Sequence, residues 1–306
     1  MYKFNKILIG LDNSEMDIQL IKAACTICQL SGSKEVYFTN IVREFNYPDS
    51  LVKEFPDIID KAIEERKRLI EKSVLEHFKC QGVQHHYVIE QGKPLRQIMK
   101  MVSQEKIDLV VLGRKNEKNS GGVLVNRLAR RVSCSLMVMP KNATLKLEKV
   151  LIPSDFSSYS KMAVEKAVSL AKKSPENTSL FVQNVFQVPT GYHYTGKSFE
   201  DFTTIMKDNA RKDFQAFTFD INYQNLKVDI IYTLDKDDDV IASIYKKAHE
   251  IEANLIIIGA KGRNATTAIF IGSSAEKLIH LDKDIPLLVV RPKGKTAGIV
   301  EYLKEL

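Results

Sequence analysis

The chain has 306 residues, 44% of them apolar and 27% charged, a composition that excludes an extended disordered protein. At roughly 150 residues per domain, that length points to two domains. The net charge of +7 sits mostly in residues 1–145 (23 basic, 17 acidic) and hardly in residues 146–306 (22 basic, 21 acidic), with both signs interleaved as in Glu64-Glu65-Arg66-Lys67-Arg68. That is the pattern of a solvated helix face, and it argues against a nucleic-acid partner, which calls for one basic stripe.

In chain order, Lys6–Gly10 opens as a short apolar strand, followed by helical periodicity over Ile18–Leu30 and a second strand at Val36–Val42. A long amphipathic helix is expected over Asp57–Phe78, then strands at His86–Glu90, Leu109–Gly113 and Ser135–Met139. The second half repeats the series, with strands at Val150–Pro153, Leu180–Phe186, Lys227–Tyr232, Leu255–Gly259 and Pro286–Val290. Near-continuous apolar runs of four to six residues suit strands buried on both faces of a parallel sheet. Strand–helix alternation requires right-handed crossovers, and hence a doubly wound α/β sheet.

The halves also match residue by residue. Lys6-Ile7-Leu8-Ile9-Gly10-Leu11-Asp12 aligns with Lys149-Val150-Leu151-Ile152-Pro153-Ser154-Asp155, and Asp108–Gly113 with Asn254–Gly259. Ser135–Val138 aligns with Pro286–Val289, and three matches in one order mean a tandem duplication. The expected domains are residues 1–143 and 144–306, joined near Lys141-Asn142-Ala143-Thr144. Four cysteines are too few for a disulfide framework, and no apolar run reaches the ~18–20 residues of a membrane span. Met1–Lys6 leads straight into a strand with no room for a signal peptide, so a cytoplasmic protein without a membrane partner is expected.

In doubly wound sheets ligands bind beyond the carboxyl ends of the strands, at the point where strand order reverses. After the fourth strand of the second half the chain reads Gly259-Ala260-Lys261-Gly262, then nine residues, then Gly272-Ser273-Ser274 at the start of a helix. Glycines admit close backbone approach to a phosphate, and a helix N-terminus adds free N–H donors and the positive end of its dipole. The spacing is neither the G-x4-G-K-[ST] of a P-loop nor the G-x-G-x-x-G of a dinucleotide fold.

With this G-x2-G-x9-G-S pattern and the aspartate after the first strand, the chain resembles the universal stress protein family in its tandem form, over essentially its whole length. The resemblance implies two five-stranded sandwiches of the adenine nucleotide alpha hydrolase-like fold and a site for ATP or AMP, with Mg2+ carried by the nucleotide. It implies that Pro153, Ser154 and Asp155 meet the nucleoside, Asp155 as acceptor, and that Val185 packs on the adenine. Gly259 and Gly262 would line ribose and phosphates, and Gly272, Ser273 and Ser274 would hold the phosphates. It further implies pairing of the last strands, which in one chain sets Ser135–Met139 beside Pro286–Val290 as an intramolecular pseudo-dimer, with a homodimer as an extension.

The first half departs from the pattern. Gly113 is kept, Asn116 stands for the second glycine, and counting nine residues on places Asn126-Arg127 where Gly-Ser is expected, with Gly121-Gly122 out of register. An arginine there would block backbone approach, so one nucleotide per chain is expected. The functional expectation is a nucleotide-binding stress regulator without a dedicated catalytic apparatus, since Asp155 has no second fixed carboxylate beside it. A nucleotide-independent scaffold and a slow ATPase are the alternatives.

Other features have plainer readings. Asp12 and Asp155 also suit helix N-caps, and the segment from Pro189 to Lys197 suits a surface loop or a lid over the nucleotide. Cys25-x-x-Cys28 lies within a helical stretch, which favours core packing over redox chemistry. His85 and His86, adjacent on a strand, point to opposite faces and do not share a metal.

Overall fold

The computed structural model describes residues 3–42, 47–114, 122–175, 177–223, 225–262, 271–281 and 284–292. The chain divides into two compact units, residues 3–144 and 145–292. The first runs β1 (Lys6–Leu11), α1 (Met16–Ser31), β2 (Glu35–Val42), α2 (Asp49–Glu54), α3 (Ile58–His77), β3 (Gln84–Gln91), α4 (Pro94–Gln104), β4 (Leu109–Arg114), α5 (Val123–Arg131) and β5 (Ser135–Pro140). The second runs β6 (Lys149–Pro153), α6 (Ser158–Ala171), β7 (Ser179–Phe186), α7 (Phe199–Thr218), β8 (Lys227–Leu234), α8 (Val240–Glu250), β9 (Leu255–Gly259), α9 (Ser273–Leu281) and β10 (Leu287–Val290). Strand order is β3-β2-β1-β4-β5 in one unit and β8-β7-β6-β9-β10 in the other, parallel throughout each.

All ten strands expected from the sequence are present. β1, β4, β6 and β9 are buried nearly end to end, as continuous apolar runs require. β3 and β8 depart from that expectation, with half-exposed or exposed residues along their length. Each borders β2 or β7 on one side, and their mixed sequences, Gln84-His85-His86 and Lys227-Val228-Asp229, suit an outer strand.

The duplication extends to individual hydrogen bonds. The Asp108 carboxylate accepts from the backbone N–H groups of Asn5 and Lys6 at 2.8 and 3.0 Å, and Asn254 Oδ1 accepts from that of Lys149 at 2.9 Å. Asn40 Nδ2 donates to the Leu11 carbonyl, and Asn184 Nδ2 to the Ser154 carbonyl, both at 2.9 Å. Asn13 and Phe156 take left-handed backbone at matching positions, with φ of 61° and 59°. Asparagine tolerates that region, whereas a phenylalanine there costs roughly 1–2 kcal/mol. The ring of Phe156 packs on Phe214 and Phe217 of α7, at 6.2 and 5.4 Å between centroids, which holds the turn in place.

Candidate functional site

Strand order reverses between β6 and β9, and a cleft of about 450 Å³ opens there at their carboxyl ends. Pro153, Ser154, Asp155, Val185, Gly259, Gly262, Gly272, Ser273 and Ser274, the nine residues singled out in the sequence, all line it. That volume falls within the range of small-molecule sites.

The β6–α6 turn fixes the first wall. The Ser154 N–H donates to the Gln183 carbonyl at 2.8 Å, and Ser154 Oγ accepts from the Phe156 N–H at 3.2 Å. Asp155 Oδ1 accepts from the Ser157 N–H at 3.1 Å, closing a tight turn. The cap of α6 is Ser157, whose Oγ accepts from the Ser160 N–H, so Asp155 is not the helix cap. Its Oδ2 lies against Gly262, where a β-carbon would stand 2.7 Å away.

The second wall is the end of β9 and the start of α9. A β-carbon on Gly259 would stand 2.6 Å from the carbonyl carbon and oxygen of Tyr159, so this glycine serves the approach of α6 to the sheet. Gly272 precedes α9; its N–H donates to the Ala260 carbonyl at 2.6 Å, and its carbonyl accepts from the Glu276 N–H at 3.0 Å. A β-carbon on it would stand 3.2 Å from Lys261 Cα. Among the described residues, the glycines with left-handed φ are Gly32, Gly82, Gly92 and Gly196. Space, not backbone sign, is therefore what Gly259, Gly262 and Gly272 supply. The first N–H groups of α9 have no acceptor within their own helix, and they open on the cleft beside Ser273 and Ser274. Residues 263–270 of the motif lie outside the described residues.

Sequence reasoning passed over several lining residues. Val240 and Ile244 of α8, with Ile258 of β9, give the cleft an apolar side. Lys261 is buried with its Nζ 5.9 Å from the centre of the Tyr159 ring. Burial first, then the charge of Arg291, holds its ammonium below the usual lysine range. Gln183 is 0% exposed and lines the cleft from β7. One signal for it was available, a polar Gln-Asn pair inside the otherwise apolar Leu180–Phe186 run.

The first unit differs, and not in the way the spacing suggested. α5 begins at Val123 with Gly122 at its N-cap, as α9 begins at Ser273 after Gly272. Both helices have nine residues, and buried Val125, Leu128 and Ala129 match buried Ala275, Leu278 and Ile279. The loop is four residues shorter than in unit two (Gly113 to Gly122 against Gly259 to Gly272), and that places Gly122 at the Gly272 position. The expectation that Arg127 blocks a phosphate is overturned: Asn126 and Arg127 lie a turn inside α5, with Arg127 exposed. Asn116 falls outside the described residues.

What unit one lacks is different. Val123 and Leu124 replace the two serines, and Leu11 replaces Ser154. The buried Asp17 carboxylate accepts from the N–H groups of Asp12 and Asn13 at 3.1 and 2.8 Å, putting a negative charge at the turn. Asp12 is likewise no cap, for that position is Glu15, with no side-chain bond to the helix.

The segment after β7 forms a 3-10 turn (Tyr192–Thr195) whose Tyr192 ring packs on Phe199 and Phe202 of α7. It is absent from the described lining of the cleft, as a surface loop would be. Cys28 is buried in α1, where burial pushes its thiol up to about 12. His85 packs edge-on to Phe78 while His86 stacks on Tyr37, so the two rings serve different neighbours. Among the described residues no group of three or more His, Cys, Asp or Glu side chains is placed to hold a metal. No helix among them is long and apolar enough to cross a membrane.

Comparison with known proteins agrees with this architecture. A universal stress protein of Synechocystis, Sll1388, is 27% identical over 150 residues, covering 44% of this chain and 97% of its own. The structure of a universal stress protein from Archaeoglobus fulgidus shares the fold at 17% identity, with a TM-score of 0.61, covering 96% of this chain and 98% of that one. A functionally unknown protein of Pseudomonas aeruginosa, PA1789, does so at 15% identity and a TM-score of 0.63, covering 99% and 96%. The model of the Universal stress protein family matches twice in tandem, over residues 3–140 and 146–291, and the chain belongs to that family.

Proposed function

We propose that the C-terminal repeat binds an adenine nucleotide, ATP or AMP, with Mg2+ carried by its phosphates. The protein then acts in the cytoplasm as a stress-response regulator through the bound state. One observation carries this reading: nine residues chosen for nucleotide chemistry converge on a single cleft at the strand switch point. The residues fit such a ligand. Asp155 offers an acceptor to ribose hydroxyls and Val185 an apolar surface to the base, with Val240 and Ile244 beside it. Gly262 and Gly272 carry no side chain where the phosphates would lie, and the N-terminus of α9 supplies donors with a favourable dipole. Buried Lys261 adds a positive charge to the same wall.

Asp155 is the one carboxylate among the described lining residues, and a phosphoryl-transfer enzyme needs both a metal-holding carboxylate and a positioned base. That supports binding over turnover. The test is mass spectrometry of nucleotide retained by the purified protein, followed by thermal shift with added ATP and Mg2+. Retained adenine nucleotide and a raised Tm are expected; no ligand and no shift favour a nucleotide-independent scaffold. Steady phosphate release over many turnovers would make the protein an ATPase.

A further inference from the structure

Gln183 is the least exposed polar residue among the described lining of the cleft. It sits on β7 between Pro153 of β6 and Ile231 of β8, and it is 0% exposed. Its amide nitrogen donates to Thr233 Oγ1 at 3.0 Å and to the Ser243 carbonyl at 3.2 Å. A carbonyl only accepts, so the second bond fixes which end of the amide is nitrogen. The oxygen, Oε1, is then a buried acceptor that meets no donor among the described residues. Buried acceptors are rarely left in this state, and each exception calls for an explanation.

The fold does not explain it. At the matching position of the first repeat stands Thr39, buried and in contact with Met101 Sδ at 3.6 Å, so the strand forms without an amide there. The cleft does explain it. Gln183 and Val185 are two apart on one strand and so face the same side, one step of roughly 6–7 Å along the sheet. On the reading above, a base packs against Val185, which brings its edge toward Gln183.

We infer that Gln183 reads the base, its Oε1 accepting from the exocyclic amino group of a 6-aminopurine, so that the cleft selects adenine over 6-oxopurines. This rests on the adenine-nucleotide reading. An oxygen at the 6-position would face the buried Oε1 acceptor to acceptor, leaving both unpaired.

ITP differs from ATP in this edge while keeping ribose and triphosphate, so it is the probe. Calorimetric titration of the full chain should give ATP at least about tenfold tighter than ITP. Gln183→Met, similar in length but without the amide, should weaken ATP about tenfold, leave ITP nearly unchanged and so erase the preference. Gln183→Thr, the residue of the first repeat, should do the same if the methionine variant does not fold. Thermal unfolding of each variant separates lost selectivity from lost structure. Equal affinities in the parent protein would overturn the inference while leaving nucleotide binding intact. So would a preference that survives in either folded variant. A parent protein that binds neither nucleotide removes the underlying reading, and this inference with it.

Discussion

A β-carbon on Gly259 would meet the backbone of Tyr159 at 2.6 Å, whereas one on Gly262 would meet the Oδ2 of Asp155 at 2.7 Å. Backbone of a packed helix cannot step aside, but a carboxylate can rotate. Gly259→Ala is therefore expected to cost about 1–3 kcal/mol of stability, read by denaturant titration. Gly262→Ala should leave stability nearly unchanged and weaken ATP roughly tenfold or more, because it displaces one charge-assisted partner of the ligand. Equal losses of stability in the two variants would contradict this division. Cys28 gives a second test at this scale. Its thiol, pushed up to about 12 by burial, stays neutral at pH 8, and alkylation of the native protein at that pH should spare it. The raised value favours the folded state below the thiol's ordinary pKa near 9, and the gain fades as pH climbs through 12. Rapid native labelling of Cys28 would reopen a redox role. Single residues were unevenly legible in the sequence. Asp155 and the three motif glycines announce themselves by spacing, while Gln183 and Lys261 do not. Their part depends on which face of β7 meets the cleft and on where the first x-residues of the motif turn, and spacing alone carries neither.

Elements were read more faithfully than the loops between them. Ten strands stand where the sequence placed them: β1, β4, β6 and β9 because a strand flanked on both sides has little choice of composition, β3 and β8 despite a mixed one. The helix starts were legible only where the loop kept its length. Counting residues from Gly113 led to Arg127, but the shorter loop of the first repeat moves the start of α5 back to Val123, and burial of Val125, Leu128 and Ala129 fixes that register. Arg127→Ala should accordingly change neither stability nor ATP affinity, a point settled by titrating the variant beside its parent. Gly272→Val is the opposite case. Its branched side chain would press on the backbone of Ala260–Gly262 and shift the start of α9 from the cleft. Losing two or three charge-assisted hydrogen bonds there should weaken ATP about a hundredfold or more. If a folded Gly272→Val variant binds ATP like its parent, α9 does not hold the phosphates.

For the whole molecule, the tandem duplication is legible in sequence, in strand order and in paired hydrogen bonds such as those of Asn40 and Asn184. The two repeats have diverged in chemistry more than in fold: Leu11, Val123 and Leu124 stand at the positions of Ser154, Ser273 and Ser274, and Asp17, whose carboxylate accepts from the first turn, stands at that of Ser160, whose hydroxyl bonds Ser154 and Ser157. The proposal that the C-terminal repeat alone binds nucleotide rests on that asymmetry, and calorimetric titration of the full chain with ATP and Mg2+ tests it. The expected result is one site per chain, weakened by Gly262→Ala and untouched by Arg127→Ala. Two equivalent sites, or no heat of binding at all, would contradict it.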